Sequence, residues 1–266
     1  MIDIEGYKNF LYEEELSENT ISSYLHTMGK YSAMFDDVTK PNLIAFKKHL
    51  TEKFKPKTVN NRIAAIMKYC RFKKINVSLK QVKEQKQTHI DNVITIEQYE
   101  TLMNGLKADG NIRWYVNISL IAKTGMRISE ALRITKKDLL SGMTTIPAKS
   151  HLRTIYFPKS LINDILPYLD GIGENEIIMK NHNGLPITSR GVSGRMKDFA
   201  AIYGIPKEVM HPHSFRHFFA MEFLKRNNNI SLLADILGHS NVNITQIYLR
   251  QSQEQQRHSV DEAVDW

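Results

Sequence analysis

A chain of 266 residues with 36 Lys and Arg against 28 Asp and Glu has a formal charge of +8, and its one cysteine, Cys70, has no partner in the chain. These figures exclude a disulfide-stapled fold and a Cys-based zinc ribbon. No apolar run reaches the ~18 residues of a membrane-spanning helix, and MIDIEGYKNF lacks the basic and apolar regions of a signal peptide, so a folded cytoplasmic protein is expected. The charge is unevenly placed. Residues 1–39 hold two basic and eight acidic side chains, residues 40–88 hold 14 and two, and residues 89–266 hold 20 and 18. In the basic segment Lys and Arg interleave with Leu43, Phe46, Leu50, Val59, Ile63 and Ile66 at helical spacing. Such a face suits a polyanion, although a merely solvated face has the same pattern.

In chain order, the first helix is predicted over 2–15 and the second over 18–36, with Ser17 as N-cap and Tyr24, Met28, Tyr31 and Phe35 on one face. Thr39-Lys40-Pro41 opens a third helix, 41–54. Lys55-Pro56-Lys57 breaks it, and a fourth follows over 58–74. This all-α unit, 1–80, is followed by a polar linker, 81–93. Thr95 and Gln98 form a capping box for a helix near 96–106, and an apolar helix over 111–124 ends at Gly125. A short helix is predicted at 128–134. A β-hairpin follows, with one arm at 143–147, a turn at 148–152 and a second arm through Thr154, Ile155, Tyr156 and Phe157. Further helices are expected near 159–169, 189–203, 213–226, 230–236 and 241–249. The expected fold is mainly α, with an N-terminal all-α domain and a mixed α+β domain (94–266) holding a small antiparallel sheet.

Polar residues with useful chemistry sit inside otherwise apolar segments. Arg127 follows the glycine turn of TGMRISEAL. His213 and Arg216, in HSFRH, share a helix face, while Phe215, Phe218 and Phe219 point toward a core. A bidentate guanidinium beside an imidazole suits an oxyanion and a proton transfer. His239 comes just after Gly238, and Tyr248 lies nine residues further on. His211, His213 and His217 lack a neighbouring carboxylate or cysteine and no His-Glu-x-x-His pattern occurs, so no metal site is expected; no phosphate-cradling glycine loop is present either.

The order Arg, Lys, His-x-x-Arg, His, Tyr, with the strings TGMRISEAL, HSFRH and LGHSNVNITQIYL, resembles the tyrosine recombinases of the phage-integrase and Xer-like family. ENTISSYLHTMGKY and KTVNNRIAAIMKYCRF are similar to that family's four-helix, SAM-like core-binding domain, so the resemblance spans essentially the whole chain. It implies a site-specific recombinase that cleaves and rejoins double-stranded DNA through a 3′-phosphotyrosyl intermediate, without a cofactor. Arg127 and Arg216 would clamp the scissile phosphate, with His239 as a further donor and Glu130 as a supporting residue. Tyr248 would be the nucleophile, His213 the acceptor of its proton, and Lys149 the acid for the leaving 5′ oxygen. Lys149 departs from the family's Gly-Lys-Gly turn, and Lys159 is the fallback.

The same resemblance implies a homo-tetramer on paired recombination sites, encoded by a bacterium, phage or mobile element, with the tail 251–266 docking on a neighbouring protomer. The basic segment would form one jaw of a DNA clamp, through Lys47, Lys57, Arg62, Lys68, Arg71 and Lys73. Two other outcomes use the same fold: a type IB topoisomerase-like nicking-closing enzyme, and a non-catalytic DNA-binding protein. Integration, excision, inversion and resolution are not distinguished by these motifs.

Overall fold

The structure of the protein is a computed structural model that describes residues 2–84, 92–147, 152–238, 245–249, 260–262 and 264. Among these residues the chain is mainly helical, with a single two-stranded antiparallel sheet. It divides into two compact units, 1–86 and 87–266.

In the first unit, α1 (Ile4–Glu13) is capped by Asp3, which accepts from the Gly6 N–H at 2.8 Å. Ser17 caps α2 (Glu18–Ser32), and Pro41 sits in the first turn of α3 (Lys40–Lys53). Pro56, expected to break the chain, takes the first position of α4 (Pro56–Phe72), where its missing N–H has no bond to make. That helix ends earlier than predicted because Lys74 turns into the left-handed region at φ +54°. The four helices close over Tyr7, Met28, Tyr31, Phe46, Val59 and Ile66. Cys70 is buried with them, and burial pushes its thiol up to about 11. The polar stretch that follows is anchored at its start: Asn60 donates to the Val82 carbonyl at 2.9 Å and accepts from the Val82 N–H at 2.8 Å.

The second unit opens with α5 (Ile96–Ala108), whose Thr95–Gln98 capping box makes both of its bonds. The apolar helix α6 (Ile112–Thr124) is the centre of the core, almost wholly buried, with α5 and α11 (Pro212–Arg226) packed on it. Where one helix was expected at 128–134, there are two: α7 (Ile128–Ala131) and α8 (Lys136–Leu140). The first ends at Ala131 with Leu132 as its C-cap, and Thr135 caps the second by accepting from the Asp138 N–H at 3.1 Å. The strands β1 (Met143–Pro147) and β2 (Leu152–Tyr156) pair from Met143 opposite Tyr156 to Pro147 opposite Leu152. Next comes α9 (Lys159–Ile165), which tightens into a 3₁₀ turn at Leu166–Tyr168 around Pro167, where no N–H is available to continue the α pattern. α10 (Ser189–Ile202), α11 and α12 (Ile230–Leu237) follow. Of the helix predicted at 241–249, the described part is Thr245 and a 3₁₀ turn, Gln246–Leu249. A small apolar cluster of Ala220, Leu224, Leu233 and Leu237 joins α11 to α12, and Tyr248 packs against it.

Candidate active site

The site grows from two left-handed glycines. Gly125 ends α6 at φ +62° and Gly238 ends α12 at φ +62°. A β-carbon on Gly125 would overlap the Phe219 ring, and one on Gly238 would overlap the Arg153 stem. Both positions therefore need glycine for conformation and for space. Each turn presents its carbonyl to an arginine.

Arg216 lies in the second turn of α11. His211 caps that helix by accepting from the Ser214 N–H at 3.1 Å, and Ser214 accepts from the Ile94 N–H at 2.9 Å, which fixes the helix start against the entry to α5. Phe215 and Phe218 point into the core. The Arg216 guanidinium is only 2% exposed; Nη1 donates to the Gly125 carbonyl at 2.8 Å and Nη2 to the Leu237 carbonyl at 2.6 Å. Burial, and then the charges of Arg127 and Arg153, push its pKa down to about 9, so it stays charged at neutral pH.

Arg127 caps α7 and is the most open of these arginines. Glu130 accepts from its backbone N–H at 2.6 Å and from Nη1 at 2.9 Å, while Nη2 donates to the Gly238 carbonyl at 3.2 Å. The other side of Glu130 accepts from Nη1 of Arg153, whose Nε donates to the Ile236 carbonyl at 2.9 Å. Three successive carbonyls at the end of α12, those of Ile236, Leu237 and Gly238, thus each accept from a different arginine. This is the negative end of the helix, where cations are favoured. Burial alone would raise the Glu130 carboxyl, but the Arg127 N–H and the Arg153 charge hold it below the usual carboxylate range. Among the described residues Arg127 and Arg153 share the Glu130 carboxylate with Arg216 close by, an arrangement of positive charge that suits an anion.

Tyr248 is half-buried, with its hydroxyl 2.7 Å from Nδ1 of His217. Burial pushes the phenol up to about 12, against the opposing pull of Arg216. His217 meets His213 edge to face, ring centroids 4.1 Å apart. His213 itself titrates below the usual imidazole range because desolvation and the charges of Arg216, His211 and Arg127 oppose its protonation. The hydroxyl contacts His217, one turn along the same face of α11 from His213, the residue that the resemblance implies as its proton acceptor.

Arg127, Glu130, Arg153 and Arg216 converge at the α12 end, with His213, His217 and Tyr248 joined to them through Arg216 and α11. Lys149 and His239 lie outside the described residues, and Lys159 is the first residue of α9. Arg153 and His217 were not anticipated. Alternation along β2 was the signal for Arg153, which shares the inward face with Ile155 and Phe157. Among the described residues no group of three or more His, Cys, Asp or Glu is placed to hold a metal ion.

The basic residues of the first unit have varied surroundings. Lys68 pairs with Glu14 at 2.7 Å, Lys73 with Asp3 at 2.7 Å, and Arg62 lies over the Phe54 ring at 3.9 Å. Lys57 and Arg71 are exposed. Lys47 donates to the Lys80 carbonyl at 2.6 Å and lines a groove floored by Ile44 and Leu79, together with Lys40, Lys48 and Lys80. That groove was not anticipated from the sequence.

A cluster of arginines beside a hydrogen-bonded tyrosine is thus carried on a mainly helical unit with a small hairpin. The chain belongs to the phage integrase family: that family's description matches residues 92–255, and the phage integrase N-terminal SAM-like domain matches residues 4–75. It is 26% identical to a tyrosine recombinase of Agathobacter rectalis over 92% of this chain and 90% of that protein. Its fold is similar to that of the Tn1549 transposon integrase in complex with transposon right-end DNA (TM-score 0.73, 17% identity, 99% of both chains). It is also similar to that of the XerH site-specific recombinase in a post-cleavage complex with a palindromic difH substrate (TM-score 0.71, 21% identity, 91% of this chain and 80% of that one).

Proposed function

We propose that the protein is a site-specific DNA recombinase that cuts one strand of a duplex with Tyr248 and rejoins it to a partner strand. The observation that carries this reading is the Tyr248 hydroxyl resting on His217, one residue beyond a buried Arg216 whose charge opposes the tyrosine's raised pKa. A phosphodiester is an anion that resists attack, and its transition state places further charge on the non-bridging oxygens. Arg127 and Arg216 clamp those oxygens from positions already fixed by Glu130, Gly125 and Leu237, so little reorganisation accompanies the reaction. His239 follows directly on Gly238, whose carbonyl Arg127 holds, and is assigned as a further donor.

With a pKa near 12, the phenol cannot ionise by itself at neutral pH, so its proton leaves as the oxygen attacks. The His217–His213 pair takes that proton: His217 already holds the hydroxyl, and the lowered pKa of His213 keeps it neutral and able to accept. A bond forms between the Tyr248 oxygen and phosphorus, the bond to the 5′ oxygen breaks, and Lys149 protonates that leaving oxygen. The product is a 3′-phosphotyrosyl link and a 5′ hydroxyl. A 5′ hydroxyl from the partner duplex then attacks the phosphotyrosyl phosphorus, and Tyr248 recovers its proton. The number of phosphoester bonds is unchanged, so the exchange needs no external energy source.

The first unit binds the duplex through its basic α3 and α4 surface, mostly by phosphate contacts that position rather than specify. The DNA complexes of the Tn1549 integrase and XerH support DNA as the partner. Four protomers act on two sites, with the tail 251–266 docking on a neighbour through Val260, Ala263, Val264 and Trp266. The test is covalent trapping on a nicked duplex, where the cut fragment diffuses away. The parent protein should form a covalent adduct, and Tyr248→Phe should bind the same duplex without forming one. An adduct from Tyr248→Phe would refute the assignment.

A further inference from the structure

We propose that Arg153 is a positioning residue of this active site, one that acts on the chemistry through Glu130 and the end of α12 without touching DNA; this rests on the recombinase reading above. Its location is unusual for its type. Arg153 occupies an inward position of β2, in line with Ile155 and Phe157, and is 2% exposed where the strand pattern calls for an apolar side chain. Burying a guanidinium is costly unless its partners are in place. Here the partners are those that aim the other two arginines.

Glu130 shows how. One of its oxygens takes Nη1 of Arg127; the other is shared between the Arg127 backbone N–H and Nη1 of Arg153. Without the Arg153 charge this nearly buried carboxylate loses its main counter-ion on that side, and Arg127 loses a fixed anchor. At the other end of the fork, Nε of Arg153 holds the Ile236 carbonyl, and its stem lies against the α-carbon side of Gly238. The next two carbonyls, of Leu237 and Gly238, are the ones that Arg216 and Arg127 use. Arg153 therefore sets the register of the surface on which both clamps rest. It links β2 to positions 23 residues earlier and 83 residues later in the chain.

The fork is what these contacts demand. Among the described residues Nη2 of Arg153 is buried without a hydrogen-bond partner, so they hold the guanidinium through Nε and Nη1, in directions fixed by its plane. An ammonium has the charge but cannot reach the Glu130 carboxylate and the Ile236 carbonyl together. Arg153→Lys thus separates geometry from charge.

The test compares the parent, Arg153→Lys, Glu130→Gln and the double variant in the full chain. Duplex affinity and the single-turnover rate of adduct formation on a nicked substrate are measured on the same samples, with rates expressed per duplex-bound protein. Arg153→Lys should bind within about threefold of the parent and form adduct about 100-fold more slowly, the scale of a 1 Å misplacement of a catalytic group. If Arg153 acts through Glu130, the double variant should be no slower than the slower single one. A rate within threefold of the parent for Arg153→Lys, or losses that multiply in the double variant, would overturn the proposal. Should Arg153→Lys fail to fold, Glu130→Gln probes the same pair from its other side: binding retained with a comparable rate loss supports the proposal, and an unchanged rate overturns it. A parent that forms no adduct would sink the recombinase reading and this proposal with it, whereas an active parent beside an equally active Arg153→Lys would sink this proposal alone.

Discussion

Replacing Gly125 with alanine should destabilise the second unit by about 3 kcal/mol, from two separable sources. The backbone at φ +62° costs a residue with a β-carbon ~1 kcal/mol. Overlap with the Phe219 ring forces a shift in a packed region, at ~2 kcal/mol. With a urea slope of ~2 kcal/mol/M, the midpoint should fall by ~1.5 M with little change in slope. Fluorescence of the buried Trp114, in α6, follows this unit. Asparagine tolerates the left-handed region but keeps the β-carbon, so Gly125→Asn should recover only ~1 kcal/mol of the loss. Because the Gly125 carbonyl holds Nη1 of Arg216, adduct formation should slow in both variants even in the absence of urea. An unchanged midpoint for alanine would refute the reasoning, and an asparagine variant as stable as glycine would show that Phe219 exerts no steric constraint.

The folded pKa of Glu130 is held below its unfolded value, so its contribution to stability is present above about pH 4.3 and is lost as pH falls through the lower folded value. Glu130→Gln should flatten that acid limb in a series of melting curves; parallel curves for the two proteins would count against the assignment. Inorganic phosphate should raise the melting temperature of the parent by filling the positive site, and the rise should shrink in Arg127→Ala; an equal rise in both would place the anion elsewhere. Changing Lys40, Lys47 and Lys48 together to glutamine should weaken duplex binding and reduce the slope of log affinity against log salt by ~0.9 for each phosphate contact removed; an unchanged slope would clear this groove of a role.

Most helices were legible because their causes are local. Ser17, the Thr95–Gln98 pair, Gly125 and Gly238 each announce an end through a hydrogen bond or a backbone angle that few other residues supply. The second short helix at Lys136–Leu140 has a local cause too, since Thr135 and Asp138 form the same kind of box, but five residues carry too little periodicity to register. Arg127 and Arg216 stood out from flanking apolar residues and Glu130 entered through the family resemblance; the structure gathers all three. What the sequence hid was pairing between distant elements. Arg153 is one Arg among many until β2 places it between Glu130 and Ile236, and His217 gains a role only because the chain returns Tyr248 to α11. The lysines of α3 were visible as charge, but the groove they share with Lys80 depends on the chain doubling back after α4.

The carbonyls held at the end of α12 also bear on how Tyr248 is delivered to the site. Gly238 is pinned by Arg127, and Tyr248 is ten positions along the chain. At one end of this span the Gly238 carbonyl is held by Arg127, and at the other the Tyr248 hydroxyl is held by His217. Under the proposed reaction, the number of residues between these two holds sets the effective concentration of the hydroxyl at a bound phosphate. Glycines inserted between Asn241 and Asn243 should then slow adduct formation and leave duplex affinity unchanged, and an unchanged adduct rate would break that link.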